Sequence, residues 1–250
     1  MTPIANQAPV VLVVGAGDAT GGAIARRFAR EGYTACVTRR NLDKLQPLVD
    51  RIQADGGRAH GFACDARHED EVVALVEQIE SGVGPIEVLV FNIGANVPCS
   101  ILDETARKYF KIWEMACLGG FLNGREVARR MVARAGGGPK GTILFTGATA
   151  SLRGAANFAA FAGAKHALRA LAQSMARELG PRGIHVAHVV VDGAIDTEFI
   201  RSNFPERYAL KEQDGILDPE HIADAYWMLH RQPRDAWTHE LDLRPWLEQF

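Results

Sequence analysis

The sequence predicts an α/β fold: one doubly wound domain with a predominantly parallel sheet of about seven strands flanked by helices. Three observations carry this. Short apolar runs rich in β-branched residues alternate with longer segments of helical spacing along the whole chain. No linker and no repeat of fixed period interrupts the alternation. At 250 residues, one core of this kind needs no disulfide staples.

Val10 to Val14 is a continuous apolar run closed by Gly15, as expected of a parallel strand buried on both faces. Ala19 to Glu31 has helical spacing, with Ile24 and Phe28 on one face and Arg26, Arg27 and Arg30 on others. A strand at Thr34–Thr38 and a helix from Leu42 to about Ala54 follow, ended by Gly56-Gly57. The pattern repeats as strand Ala59–Ala63, helix Glu69–Glu80 and strand Glu87–Phe91. Two helices are expected next, Glu104–Met115 and Phe121–Ala133. The turn Gly136-Gly137-Gly138-Pro139 leads into strand Thr142–Phe145. An alanine-rich helix runs from Ala155 to Leu179 and stops at Gly180-Pro181. Strand His185–Val191, an irregular stretch from Asp192 to Leu217, helix Pro219–His230 and a strand near Thr238–Leu243 complete the chain. The stretch 192–217 is long for a bare connection, so it is expected to be a substrate lid with some helix of its own.

The formal net charge of −2 offers no electrostatic footprint for nucleic acid or a membrane surface. No apolar run approaches the roughly 20 residues that span a bilayer. Met1 to Pro9 lacks the basic-then-apolar order of a secretory signal. Cys36, Cys64, Cys99 and Cys117 form no Cys-x-x-Cys pair and read as reduced thiols. The expectation is a cytoplasmic protein acting on a small molecule. No metal site is expected: His185 and His188 lie three apart on a strand and so face opposite sides.

Strand one delivers Gly15-Ala16-Gly17-Asp18-Ala19-Thr20-Gly21 to the start of a helix. Glycines there let the backbone approach a pyrophosphate, and the free N–H groups of the first helical turn face the anion. This points to a nucleotide.

With this loop the chain resembles the short-chain dehydrogenase/reductase family, whose motif is Gly-x-x-x-Gly-x-Gly. Gly15 and Gly21 match its ends, and Ala19 replaces the middle glycine. The resemblance covers nearly the whole length and implies a Rossmann-type fold holding a nicotinamide cofactor. Asp65 falls where the family places an aspartate near the adenine. Asn92-Ile93-Gly94 looks like its Asn-Ala-Gly segment beside the adenosine. Asp192-Gly193 stands in its Pro-Gly turn, with Ile195 just after, and Thr197 matches a threonine that contacts the carboxamide or phosphates. Lys165 matches the lysine that binds the nicotinamide ribose. At the end of strand two, Thr38-Arg39-Arg40-Asn41 holds no carboxylate for a ribose 2′-hydroxyl. An arginine fork suits a 2′-phosphate, so NADP(H) is favoured over NAD(H).

The departures lie at the catalytic end. The resemblance puts Phe161 at the family's tyrosine, Ala148 at its serine and about Ala116 at its asparagine; Lys165 alone is kept. Phenylalanine exchanges no proton. Thr149 and Ser151 could supply a hydroxyl instead, Asn157 lies one helical turn before Phe161, and Tyr208 could swing in from the lid. Phe158, Phe161, Phe199, Ile200 and Phe204 are the expected apolar walls. Two functions fit: an NADP(H)-dependent oxidoreductase of a carbonyl or alcohol substrate with an atypical active site, or a catalytically inactive cofactor-binding protein serving as sensor or partner subunit. The resemblance also implies a homodimer or homotetramer through the helices Phe121–Ala133 and Ala155–Leu179, which are rich in small residues.

Overall fold

A computed structural model describes residues 8–94, 96–136 and 138–249. Gly137 of the glycine-rich turn and the first seven residues lie outside them. Seven strands form one parallel sheet in the order β3-β2-β1-β4-β5-β6-β7. They are β1 (Val10–Val14), β2 (Thr34–Arg39), β3 (Arg58–Ala63), β4 (Ile86–Phe91), β5 (Gly141–Thr146), β6 (Ile184–Val191) and β7 (Glu240–Leu243). The order reverses between β1 and β4, which pair in register from Val11↔Val88 to Val14↔Phe91. Beyond the carboxyl ends of such strands a doubly wound sheet opens a crevice for a ligand.

Alternation along β1 splits the core. Val11 and Val13 join the apolar layer beneath α1 (Thr20–Arg30), α2 (Gln46–Ala54) and α9 (Pro219–His230). Val10, Leu12 and Val14 join the layer beneath α3 (Glu69–Gly82), α5 (Gly119–Ala133) and α6 (Ala159–Leu179). Both faces of the sheet are therefore covered, which explains why its central strands are unbroken apolar runs.

Several boundaries differ from the sequence expectation. The two helices expected around Gly119-Gly120 are continuous: α4 (Ala106–Trp113) passes through a π-helical turn, Glu114–Leu118, into α5. The glycines do not break the helix. They let it press on α6 and on the sheet, since a Cβ on Gly120 would lie 2.5 Å from Leu168 of α6 and one on Gly119 would meet Phe91 of β4. α6 starts at Ala159, not Ala155, because Asn157 takes a left-handed backbone (φ 69°). α2 starts four residues later than expected, with Pro47 in its first turn. Arg26 is not a surface residue: it is buried and pairs with Glu220 of α9. The stretch 192–217 carries α7 (Glu198–Asn203), α8 (Pro205–Tyr208) and a further turn of helix at Ala209–Gln213.

Candidate active site

The cavity over the sheet's carboxyl edge measures about 550 Å³ and starts at the β1–α1 loop. Gly15 needs its glycine for the backbone: its φ is 86°, and a Cβ would crowd the Asn92 carbonyl at 3.0 Å. Gly21, in the first turn of α1, packs on the carbonyl of Gly15 so closely that a Cβ would lie 2.6 Å away. Asn92, at the end of β4, donates from Nδ2 to that same carbonyl at 3.1 Å and ties the two strand ends together. Gly17 and Gly94 are different. A Cβ on either would meet nothing within 4 Å, so no packing inside the protein demands glycine there. Both border the cavity, where the missing side chain leaves room for a ligand. α1 begins without a side-chain cap or an acidic residue in its first turn, so its leading N–H groups are left for an anion. Asp18, Thr20 and Ile93 complete this end of the cavity.

A second hollow of about 220 Å³ shares Gly15, Ile93 and Gly94 with the first and runs toward β2 and β3. Thr38, Arg39, Arg40 and Asp65 line it. The Arg39 guanidinium lies 3.7 Å from the exposed carboxylate of Asp18 and donates to the Lys44 carbonyl at 3.4 Å. Asp65 is held by Arg67, which donates to both of its oxygens. Those hydrogen bonds pull the Asp65 carboxyl down to about 2. Arg67 was not anticipated from the sequence; its proximity to Asp65 in the chain was the available signal.

Lys165 rises from α6 to the floor of the main cavity. Its Nζ donates to the carbonyls of Thr146 at 2.8 Å and Ile93 at 3.1 Å. Among the described residues no carboxylate pairs with it, and burial pushes its ammonium down to about 8. Phe161, one helical turn earlier, places its ring 5.8 Å from Nζ. Phe161, Ala148 and Phe158 all line the cavity, so this wall is apolar. Ala116 is buried in the π-helical turn, packed in the same small cluster as Phe161 and Ala148.

The opposite wall comes from the end of β6 and the chain after it: Val191, Gly193, Ile195 and Thr197. Gly193 has φ 148° and sits so close to Pro245 that a Cβ would lie 2.7 Å from it. Thr197 caps α7 by accepting from Ile200 N at 3.1 Å. The residues predicted to bind cofactor, with Lys165, Phe161, Ala148 and Thr149, border one of the two hollows; Ala116 and Asp192 are buried behind them, and several expected walls and proton donors do not reach either. Phe199 and Phe204 are exposed and pack on each other, and neither they nor Ile200 reach the cavity. Short α7 turns their side chains outward. Tyr208 stacks near Lys211 instead of entering the site. Asn157 is exposed in the turn before α6 and shares no face with Phe161. Ser151 is buried behind the wall, accepting from Ala148 N at 3.1 Å. Residues missed by the sequence reading are Asn96, Arg153 and Ala155 on the rim. They sit on loops whose path no local pattern reveals.

Beneath the Ala148 wall lies His188 of β6. A Cβ on Gly147 would fall 2.4 Å from its Nε2, so glycine at 147 makes room for the ring. Its Nδ1 is 3.0 Å from Glu240, yet burial outweighs that carboxylate and pushes the imidazole down to about 4. Among the described residues no cluster of three or more His, Cys, Asp or Glu is placed to share a metal ion. No described helix is long and apolar enough to cross a membrane.

Residues 9–207 match the family model for short chain dehydrogenases. The chain belongs to the short-chain dehydrogenase/reductase family. A short-chain dehydrogenase from Rhodopseudomonas palustris is 48% identical, with 96% of this chain and 100% of that one covered at a TM-score of 0.80. A metagenomic short-chain oxidoreductase, solved in complex with NADP, is 26% identical over 97% of this chain and 99% of its own, also with a TM-score of 0.80. The 3-oxoacyl-[acyl-carrier-protein] reductase MabA of Mycobacterium avium is 31% identical over 192 residues, 77% of this chain and 69% of that protein. These relatives are oxidoreductases by name, and the two solved structures share the overall fold of this chain.

Proposed function

We propose that this chain is an NADP(H)-dependent oxidoreductase acting on a carbonyl or alcohol substrate, with an atypical active site in which Phe161 stands at the family's tyrosine and Ala148 at its serine. The observation that carries the reading is Lys165: a buried cation without a carboxylate, at the floor of the cavity that begins in the glycine loop. A fold keeps such a group where a ligand uses it. When bound, the nicotinamide supplies the hydride chemistry. The chain's own residues hold it: α1 and Gly17 receive the pyrophosphate, Asn92 through Gly94 and Asp65 flank the adenosine, and Lys165 binds the nicotinamide ribose. Gly193, Ile195 and Thr197 form the facing wall. Arg39 and Arg40 receive the 2′-phosphate. Among the described residues the competitors for Arg39 are the Lys44 carbonyl and the exposed Asp18 carboxylate, and an ion pair so exposed is worth little. The NADP-bound relative supports this preference. The stretch 192–217 is the proposed substrate lid, and the exposed faces of α5 and α6 around Phe121 the proposed dimer or tetramer contact. A monomer in sedimentation at micromolar concentration would end that assembly.

The three apolar residues Phe161, Ala148 and Ala116, together in one cluster, favour a second reading: a cofactor-binding protein that does not turn over. Oxidation of NADPH by a panel of ketones and aldehydes separates the two. Under the first, the wild type shows a measurable rate, and F161Y combined with A148S raises it by about 10²–10⁴-fold. A wild type that binds NADPH but is inert in both directions, with activity created only in the double variant, establishes the second.

A further inference from the structure

The apolar wall leaves open which group exchanges a proton with the substrate oxygen. Among the described residues the cavity's hydroxyls are few. Thr146 is bonded to Tyr226 at 2.7 Å, Thr197 is committed to capping α7, and Thr20 lies at the phosphate end. Thr149 is different. It borders the cavity one residue beyond Ala148, and its Oγ1 donates to Oδ1 of Asp192 at 2.5 Å. Asp192, at the end of β6, has a side chain with 0% exposure. Its Oδ2 has no hydrogen-bond partner among the described residues. Two guanidiniums offset its charge from a distance: Arg153 lies 3.8 Å from Oδ1 and Arg244 3.9 Å from Oδ2. A buried carboxylate with one bare oxygen is an expensive way to join two loops. A purely structural joint would be served as well by an amide.

We propose that Thr149 and Asp192 are the proton path of this site: the Thr149 hydroxyl accepts the proton of a substrate hydroxyl as it hands its own to Asp192. The inference rests on the oxidoreductase reading. In the direction of alcohol oxidation the substrate O–H bond breaks and an O–H bond forms on Thr149. Thr149's original O–H bond breaks and a bond forms from that proton to Oδ1. The electron pair of the substrate's C–H bond leaves with its hydrogen as hydride, for which the nicotinamide cofactor is the acceptor. Carbonyl reduction is the reverse. Because Thr149 donates to the carboxylate, it offers the cavity only lone pairs, so this form of the site receives a hydroxyl donor; with Asp192 protonated the chain of bonds turns round and receives a carbonyl. Thr149 is then the catalytic residue, and Asp192 acts through it. Arg153, 40% exposed and donating to the Gln249 carbonyl at 3.2 Å, lies between the buried carboxylate and solvent.

The test uses T149V, T149S and D192N in the full chain. The amide of D192N keeps the shape but takes no proton. The first readout needs no turnover. In protein labelled with ¹³C at its threonine methyls, the resonance lost in T149V must move in D192N; an unmoved resonance overturns the proposal. The second uses the substrate that the wild type turns over. T149V and D192N should each lose about 10²-fold in kcat with NADPH affinity unchanged, while T149S, which restores the hydroxyl, stays within a few fold of wild type. Wild-type rates in T149V overturn the proton path and leave the oxidoreductase reading standing. A wild type inert with every ketone, aldehyde and alcohol overturns both. Should D192N fail to fold, T149V against T149S decides.

Discussion

Replacing Lys165 with methionine removes a cation whose burial opposes folding. In the folded chain its Nζ is enclosed, with two backbone carbonyls as partners and no carboxylate. Burial brings the ammonium from its ordinary value of 10.5 down to about 8. Over that interval the unfolded chain holds more protons than the folded one, so stability rises with pH and the Lys165 contribution amounts to about 3 kcal/mol. Methionine has similar length and no charge. It forfeits the hydrogen bonds to Thr146 and Ile93, at about 1 kcal/mol each. At about pH 7 the K165M apoprotein should therefore be more stable than wild type by about 1–2 kcal/mol, and by about pH 10 the order should reverse. Other groups titrate there too. Burial raises the thiols of Cys36 and Cys64 to about 12 and the phenols of Tyr33 and Tyr226 still further, which lowers stability at high pH. Both proteins carry them, so the difference between the two isolates the lysine. Urea denaturation across this range measures it. A difference that stays constant with pH would refute the reasoning. NADPH affinity should fall in the same variant, because the residue that destabilises the empty fold is the one that holds the ribose.

R39D should weaken NADPH binding by about 10–100-fold, the worth of a charge-assisted hydrogen bond, and leave NADH binding equal or better; equal NADPH affinity in the variant, read by fluorescence, would remove the case for the arginine fork. His188 should govern part of the acid limb of stability. Its folded value of about 4 lies below the ordinary 6.5, so stability falls as pH drops through that window, by up to about 3 kcal/mol. In H188Q that share of the fall should vanish in thermal melts, and an unchanged acid limb would show that the imidazole is not buried neutral.

The sequence made the alternation of strands and helices legible because both faces of a parallel sheet are buried, leaving unbroken apolar runs. The glycine loop and Lys165 were legible for a similar reason: local spacing places them at the strand's end and on the helix that faces it. What local pattern could not reveal depends on contacts between distant segments. Gly119-Gly120 reads as a helix break until Phe91 and Leu168 are seen to press on it. Arg26 reads as surface until Glu220 arrives from α9. Thr149 and Asp192 are 43 residues apart, and only the pairing of β5 with β6 brings their strand ends together. Phe199 and Phe204 were expected as walls from composition alone, and the short helix α7 turns them to solvent.

A fluorescence titration of the purified protein with NADPH and with NADH tests the central claim most directly. Saturable binding of both cofactors is expected, with NADPH the tighter by at least the ~10-fold that one charge-assisted contact supplies. Binding of neither would contradict it, because the cavity bordered by Gly17, Gly94 and Lys165 would then serve no nicotinamide at all.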